Sequence, residues 1–71
     1  MLVSDAFVAL AGVLVEGAVD AFCGRPRTAN PYSSTSALDA HFAWCWGHDE
    51  AIMQLKRRGR EEAARWLREA A

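Results

Sequence analysis

The sequence predicts an all-α fold: an antiparallel helical hairpin with a Pro/Ser-rich loop and a C-terminal helical extension. Three observations carry this reading. Apolar residues recur at helical spacing through two long stretches, 4–23 and 37–58. Between them, residues 24–36 hold Pro26, Asn30-Pro31 and the run Ser33-Ser34-Thr35-Ser36, which disfavour helix. After Gly59, residues 60–70 are dominated by Ala, Glu and Arg, all good helix formers. A chain of 71 residues accommodates one small helical domain, 1–71.

The first helix is expected to start at Ser4 or Asp5, whose side-chain oxygens can accept a bond from a free first-turn N–H. Gly24 and Pro26 stop it, one by taking a left-handed cap conformation and the other by breaking the ladder. Val3, Phe7, Leu10, Leu14, Ala18 and Ala21 share one face, and Val8, Ala11, Val15, Val19 and Phe22 a second. Only Asp5, Ala9, Gly12, Glu16 and Asp20 form a wet stripe. A helix apolar over so much of its girth needs cover on several sides. With 52% hydrophobic residues in a short chain, the expectation is a homodimer or higher oligomer with helix 1 at its centre.

In the loop, Asn30 before Pro31 is pushed toward extended geometry. Ser36 is the expected cap of the second helix, with Asp39 placed to meet its first-turn amides. Leu38, Phe42, Cys45, Ile52 and Leu55 form one face of that helix, and Ala40, Trp44, Gly47 and Ala51 a neighbouring one. Gly47 costs about 1 kcal/mol relative to alanine inside a helix, which suggests a close-passing backbone. Gly59 either ends the helix or weakens a longer one. In the last segment Ala63, Trp66, Leu67 and Ala70 make an apolar stripe, and Glu61–Arg65 and Arg65–Glu69 lie at ion-pair spacing.

The net charge of -1 gives no global pull toward nucleic acid or an anionic membrane. The distribution is more telling: six of the eight basic residues (Lys56, Arg57, Arg58, Arg60, Arg65, Arg68) lie near the end. The other two, Arg25 and Arg27, sit in the loop. The dense run Lys56-Arg57-Arg58-Gly59-Arg60 reads either as a nucleic-acid patch or as a solvated helix end. The apolar run from Ala6 to Val15 is too short to span a bilayer and lacks a basic n-region before it. Neither membrane insertion nor export is expected, and the two cysteines read as reduced thiols of a cytoplasmic protein.

His41, Cys45 and His48 can share one side of the second helix, and with Cys23 they offer four zinc ligands. The alternative is a core thiol beside two partly exposed imidazoles. Cys45 beside a histidine also has the makings of a thiolate nucleophile, yet a hairpin of this size has little concavity for a substrate. The expectation is no catalytic residue, no metal and no cofactor. Trp44 is the expected core anchor. Trp46 lies off the seam and is either an oligomer contact or a partner-binding anchor.

The order Gly17, Ala21, Gly24-Arg25, Pro31-Tyr32, and then Trp44, Gly47 and Ala51 resembles the ribosome modulation factor family, which also takes in the small CrpP-type proteins. The resemblance covers about half the chain and rests on the spacings from Gly24 to Pro31-Tyr32 and from Trp44 through Gly47 to Ala51. It implies a hairpin clasped by Tyr32 and Trp44, and binding to the small ribosomal subunit. The RNA contacts would be Arg25, Arg27 and Tyr32 in the loop and Lys56, Arg57, Arg58 and Arg60 at the end. From another class, the rival expectation is a protein–protein effector acting through helix 1 and exposed tryptophans. CrpP-type ATP-dependent drug modification is a third, although no GxxxxGK[ST] phosphate loop is present.

Overall fold

The computed structural model describes residues 5–70, and side chains within that range except that of Phe7. The described residues are all-helical: α1 (Asp5–Phe22), a 3-10 turn (Arg27–Ala29), α2 (Leu38–Arg58) and α3 (Arg60–Ala70). Ser4 as a possible cap and Val3 in the apolar face lie outside the described residues. No described helix is long and apolar enough to cross a membrane.

Helix α1 ends in a Schellman arrangement. Gly24 takes φ +81°, Arg25 N–H donates to Asp20 O, and Gly24 N–H donates to Ala21 O. Gly59, at φ +80°, separates α2 from α3. Its N–H donates to Leu55 O while its own carbonyl accepts from Ala63 N–H, so one glycine closes one helix and opens the next.

The start of α2 corrects an expectation. Ser36 does not cap it: the N-cap is Ala37, with no side-chain bond. Ser33 takes the serine role instead, its Oγ accepting from the N–H groups of Thr35 and Ser36. A local serine turn thus competes for the hydroxyls before the helix begins.

The antiparallel hairpin is corrected as well. Ala6, Ala9, Leu10 and Val13 of α1 line a groove with Thr35–Ala40, at the start of α2. Further along, Leu14 meets Gly47, Ala18 and Ala21 cluster with Ala51, and Arg60 reaches Phe22 O. The two helices therefore cross with their N-terminal ends on one side and run in the same general sense. The intervening segment makes this possible. Fifteen extended residues reach about 50 Å, more than the roughly 31 Å length of α2. The segment runs back along α2, meeting His48 at Arg25, Asp49 at Arg27, Cys45 at Asn30 and His41 at Tyr32.

Two glycines set the crossing. A Cβ on Gly17 would collide with the Trp44 carbonyl, and one on Gly47 with the Leu14 carbonyl. Trp44 is fully buried beside this contact; its indole N–H donates to Asp20 at 3.0 Å and its ring stacks on His48. Below it, Ala18, Ala21 and Ala51 form a small-residue core against which Phe22, Ile52, Trp66 and Leu67 pack. In α3, Ala63 is buried and Trp66 and Leu67 half-buried, while Ala70 is exposed. The expected α3 ion pairs are not closed: the pairs among the described residues are Arg25–Asp20 and Arg27–Asp49.

Candidate functional site

Three groups of residues are candidates, and the fold treats them differently. The loop arginines are held within the chain. Arg27 Nε donates to Asp49 Oδ1 at 3.0 Å, and Arg25 lies 3.7 Å from Asp20. Arg60 donates to Phe22 O at 3.2 Å with its guanidinium over the Phe22 ring. Tyr32 donates to Glu16, an acidic neighbour that phosphate would oppose. That hydrogen bond, aided by burial and by the negative charge of Glu16, raises the phenol pKa above its usual value. Four of the seven expected RNA contacts are thus engaged in folding. Lys56, Arg57 and Arg58 are exposed and form no ion pair among the described residues.

The second group is the Asn30–His41–Cys45 cluster. His41 Nδ1 lies 2.9 Å from Tyr32 O. The Tyr32 carbonyl only accepts and is the nearer partner, so the proton is assigned to Nδ1 and the lone pair to Nε2; Asn30 Nδ2, 3.1 Å from the same nitrogen, then directs its two protons to His41 O and Cys45 Sγ. Nε2 faces Cys45 Sγ at 3.9 Å and can accept from the thiol. Asn30 completes the set: Nδ2 donates to His41 O and Cys45 Sγ, and Oδ1 accepts from Tyr32 N–H. The sequence singled out the histidine and the cysteine but not Asn30, whose role depends on the return path of the loop. A base beside a thiol has the chemistry of a nucleophile, yet Cys45 is only 5% exposed and its sulfur is fully engaged. What the arrangement does is staple the loop to α2.

His48 does not join this cluster. Its Nε2 donates to Arg25 O at 2.7 Å, and Nδ1 has no partner. Cys23 is exposed at the end of α1. The four proposed zinc ligands are therefore dispersed, and no group of three or more His, Cys, Asp or Glu among the described residues is placed to hold a metal ion.

The third group is an apolar face. Leu38, Phe42, Trp46 and Met53 of α2 are 47%, 61%, 68% and 43% exposed. Leu38 and Phe42 share a sequence face with Cys45, Ile52 and Leu55; the fold leaves these two outward because Trp44, Gly47 and Ala51 take the α1 contact. Alongside, Leu10, Ala11 and Leu14 line an apolar groove with Phe42, Ala43 and Trp46. On α1, Val8 and Val19 are also exposed. The sequence marked Trp46 as lying off the seam; it missed Met53, although the step from Trp46 to Met53 is one heptad on the same face.

Fold and surface together define a small all-helical chain with a stapled return loop and an uncovered aromatic face. Comparison of the chain with protein-family models, curated proteins and solved structures returned no match.

Proposed function

We propose that the chain is a protein-binding module that docks through the exposed face of α2 and performs no chemistry itself. The supporting observation is the outward alignment of Leu38, Phe42, Trp46 and Met53 on one helix. Isolated exposed apolar residues are ordinary, but a contiguous patch containing Trp and Phe has the composition of binding hot spots. The test is photo-crosslinking from a benzophenone amino acid placed at Phe42, with Thr28 on the exposed 3-10 turn as control. The expected result is protein adducts at the first position and none at the second, persisting in high salt. Equal labelling at both positions, or none, overturns the reading.

A second reading keeps the ribosome in view. It is supported by the exposed run Lys56-Arg57-Arg58, together with the family-like spacing of Gly24, Pro31, Tyr32, Trp44, Gly47 and Ala51. Under it, the chain co-sediments with ribosomes at low salt and dissociates as salt rises. Removing one phosphate-contacting cation of that run lowers the salt slope by about 1. Absence of co-sedimentation at low salt overturns it.

A further inference from the structure

We infer that the exposed α2 face is the contact surface of a symmetric dimer of this chain, its two α2 helices packed antiparallel across a two-fold axis. The inference rests on the docking reading above and names the occupant as a second copy. It also moves the self-association expected for α1 onto α2.

Spacing is the first argument. Asp39, Phe42, Trp46, Asp49, Met53 and Lys56 alternate steps of three and four residues, and all six are exposed. That alternation is the seam by which one helix packs along another. Within the chain no helix packs along the seam, because α1 is met by Trp44, Gly47 and Ala51; Arg27 of the loop touches it at Asp49, and α1 borders it at Leu10 and Leu14.

Charge and size select the partner and its direction. In an antiparallel self-pair centred between Gly47 and His48, Asp39 falls opposite Lys56 of the other copy. Phe42 then falls opposite Met53, and Trp46 opposite Asp49, each pairing occurring twice by symmetry. The outer layers join opposite charges, and the next layers set an aromatic ring against a thioether, a favourable contact. The central layer sets an indole N–H donor against a carboxylate, and Arg27, 3.0 Å from Asp49, offsets that buried charge. A parallel pair would instead stack Asp39 on Asp39 and Lys56 on Lys56, so like charges exclude it. Among the described side chains of α1, the exposed large apolar ones are Val8 and Val19.

The test uses the full chain in sedimentation equilibrium with charge-reversal variants at exposed positions. Asp39→Lys alone and Lys56→Asp alone each place like charges in both outer layers, and each is expected to raise the dimer dissociation constant by ~tenfold or more. An equimolar mixture of the two variants restores tight dimers, all of them mixed. The double variant Asp39→Lys/Lys56→Asp restores dimerisation by itself. Circular dichroism of each variant establishes that it is folded. A monomer at the highest soluble concentration overturns the inference, and so does a dimer indifferent to both reversals, which would place the contact elsewhere. If the chain is monomeric while the benzophenone at Phe42 still captures another protein in high salt, the self-pair falls and the docking reading stands.

Discussion

The Tyr32 hydroxyl donates a 2.6 Å hydrogen bond to Glu16, which ties the returning loop to α1 beside the Gly17 crossing. The loop is thereby fastened to both helices, to α1 through Tyr32 and to α2 through Asn30 and Arg27.

This bond makes the only tyrosine of the chain a reporter. Its phenol titrates above the usual value because ionisation forfeits the bond and places two negative charges together. The stabilisation is complete below the unfolded pKa of about 10 and is lost as pH rises through the raised folded value. Phenolate absorbance during a pH titration measures the shift directly. Glu16→Gln moves the midpoint down toward the ordinary tyrosine value.

Two glycine-to-alanine changes are expected to act in opposite directions. At Gly47 the added Cβ would lie 2.7 Å from the Leu14 carbonyl carbon, so the helices must separate. The expected loss in urea denaturation is about 2–4 kcal/mol, the scale of overpacking plus lost contacts. At Gly12 of α1, no atom beyond its own stretch of helix backbone lies within 4 Å of the new Cβ. There the better helix propensity of alanine adds about 0.5–1 kcal/mol.

Trp44 combines burial with a hydrogen bond to Asp20. Trp44→Ala is expected to cost about 3–5 kcal/mol, the range for emptying a large aromatic site. Trp44→Phe retains much of the volume but leaves Asp20 without its indole donor, costing about 1–3 kcal/mol. Thermal melts of the two variants separate packing from the hydrogen bond.

Thiol labelling distinguishes the two cysteines. Cys23 is exposed and reacts with a maleimide at once, whereas Cys45 is buried and reacts only when the loop opens. Asn30→Ala removes the bonds to Cys45 Sγ, His41 O and Tyr32 N–H. It is expected to speed Cys45 labelling several-fold and to lower stability by about 1–2 kcal/mol. Equal labelling rates of Cys45 in the parent and the variant would show that the staple does not control access.

Local signals were read where local physics decides. The periodicity of α1 and α2, the stop at Gly24, the burial of Trp44 and the exposure of Trp46 all follow from side-chain spacing and backbone preference. The far end of α1 shifted by a residue, to Phe22, while the expected start at Ser4 lies outside the described residues. At α2 the expected Ser36 cap failed because Ser33 drew the neighbouring N–H groups into its own turn. The face of α2 that meets α1 was legible in Trp44, Gly47 and Ala51; that Leu38 and Phe42 on the neighbouring face stay uncovered was not. Leu38 and Phe42 are as apolar as any core residue, and only the close approach at Gly17 and Gly47 places them outside. Arg27 looked free for the same reason, its partner Asp49 lying 22 residues away on α2; Asp20 is near Arg25 in sequence, but only the turn at Gly24 brings the two together.

Helix content, the helix stops and the identity of the aromatic anchors were determined by the amino-acid sequence, because each depends on neighbours within a turn or two. The direction of α2 relative to α1, the pairing of the loop with both helices and the exposure of Leu38, Phe42 and Met53 beside Trp46 were decided by tertiary structure alone. A connection this long permits either direction. The choice falls to contacts between residues far apart in the chain: Gly47 against Leu14, Arg27 against Asp49 and Tyr32 against Glu16.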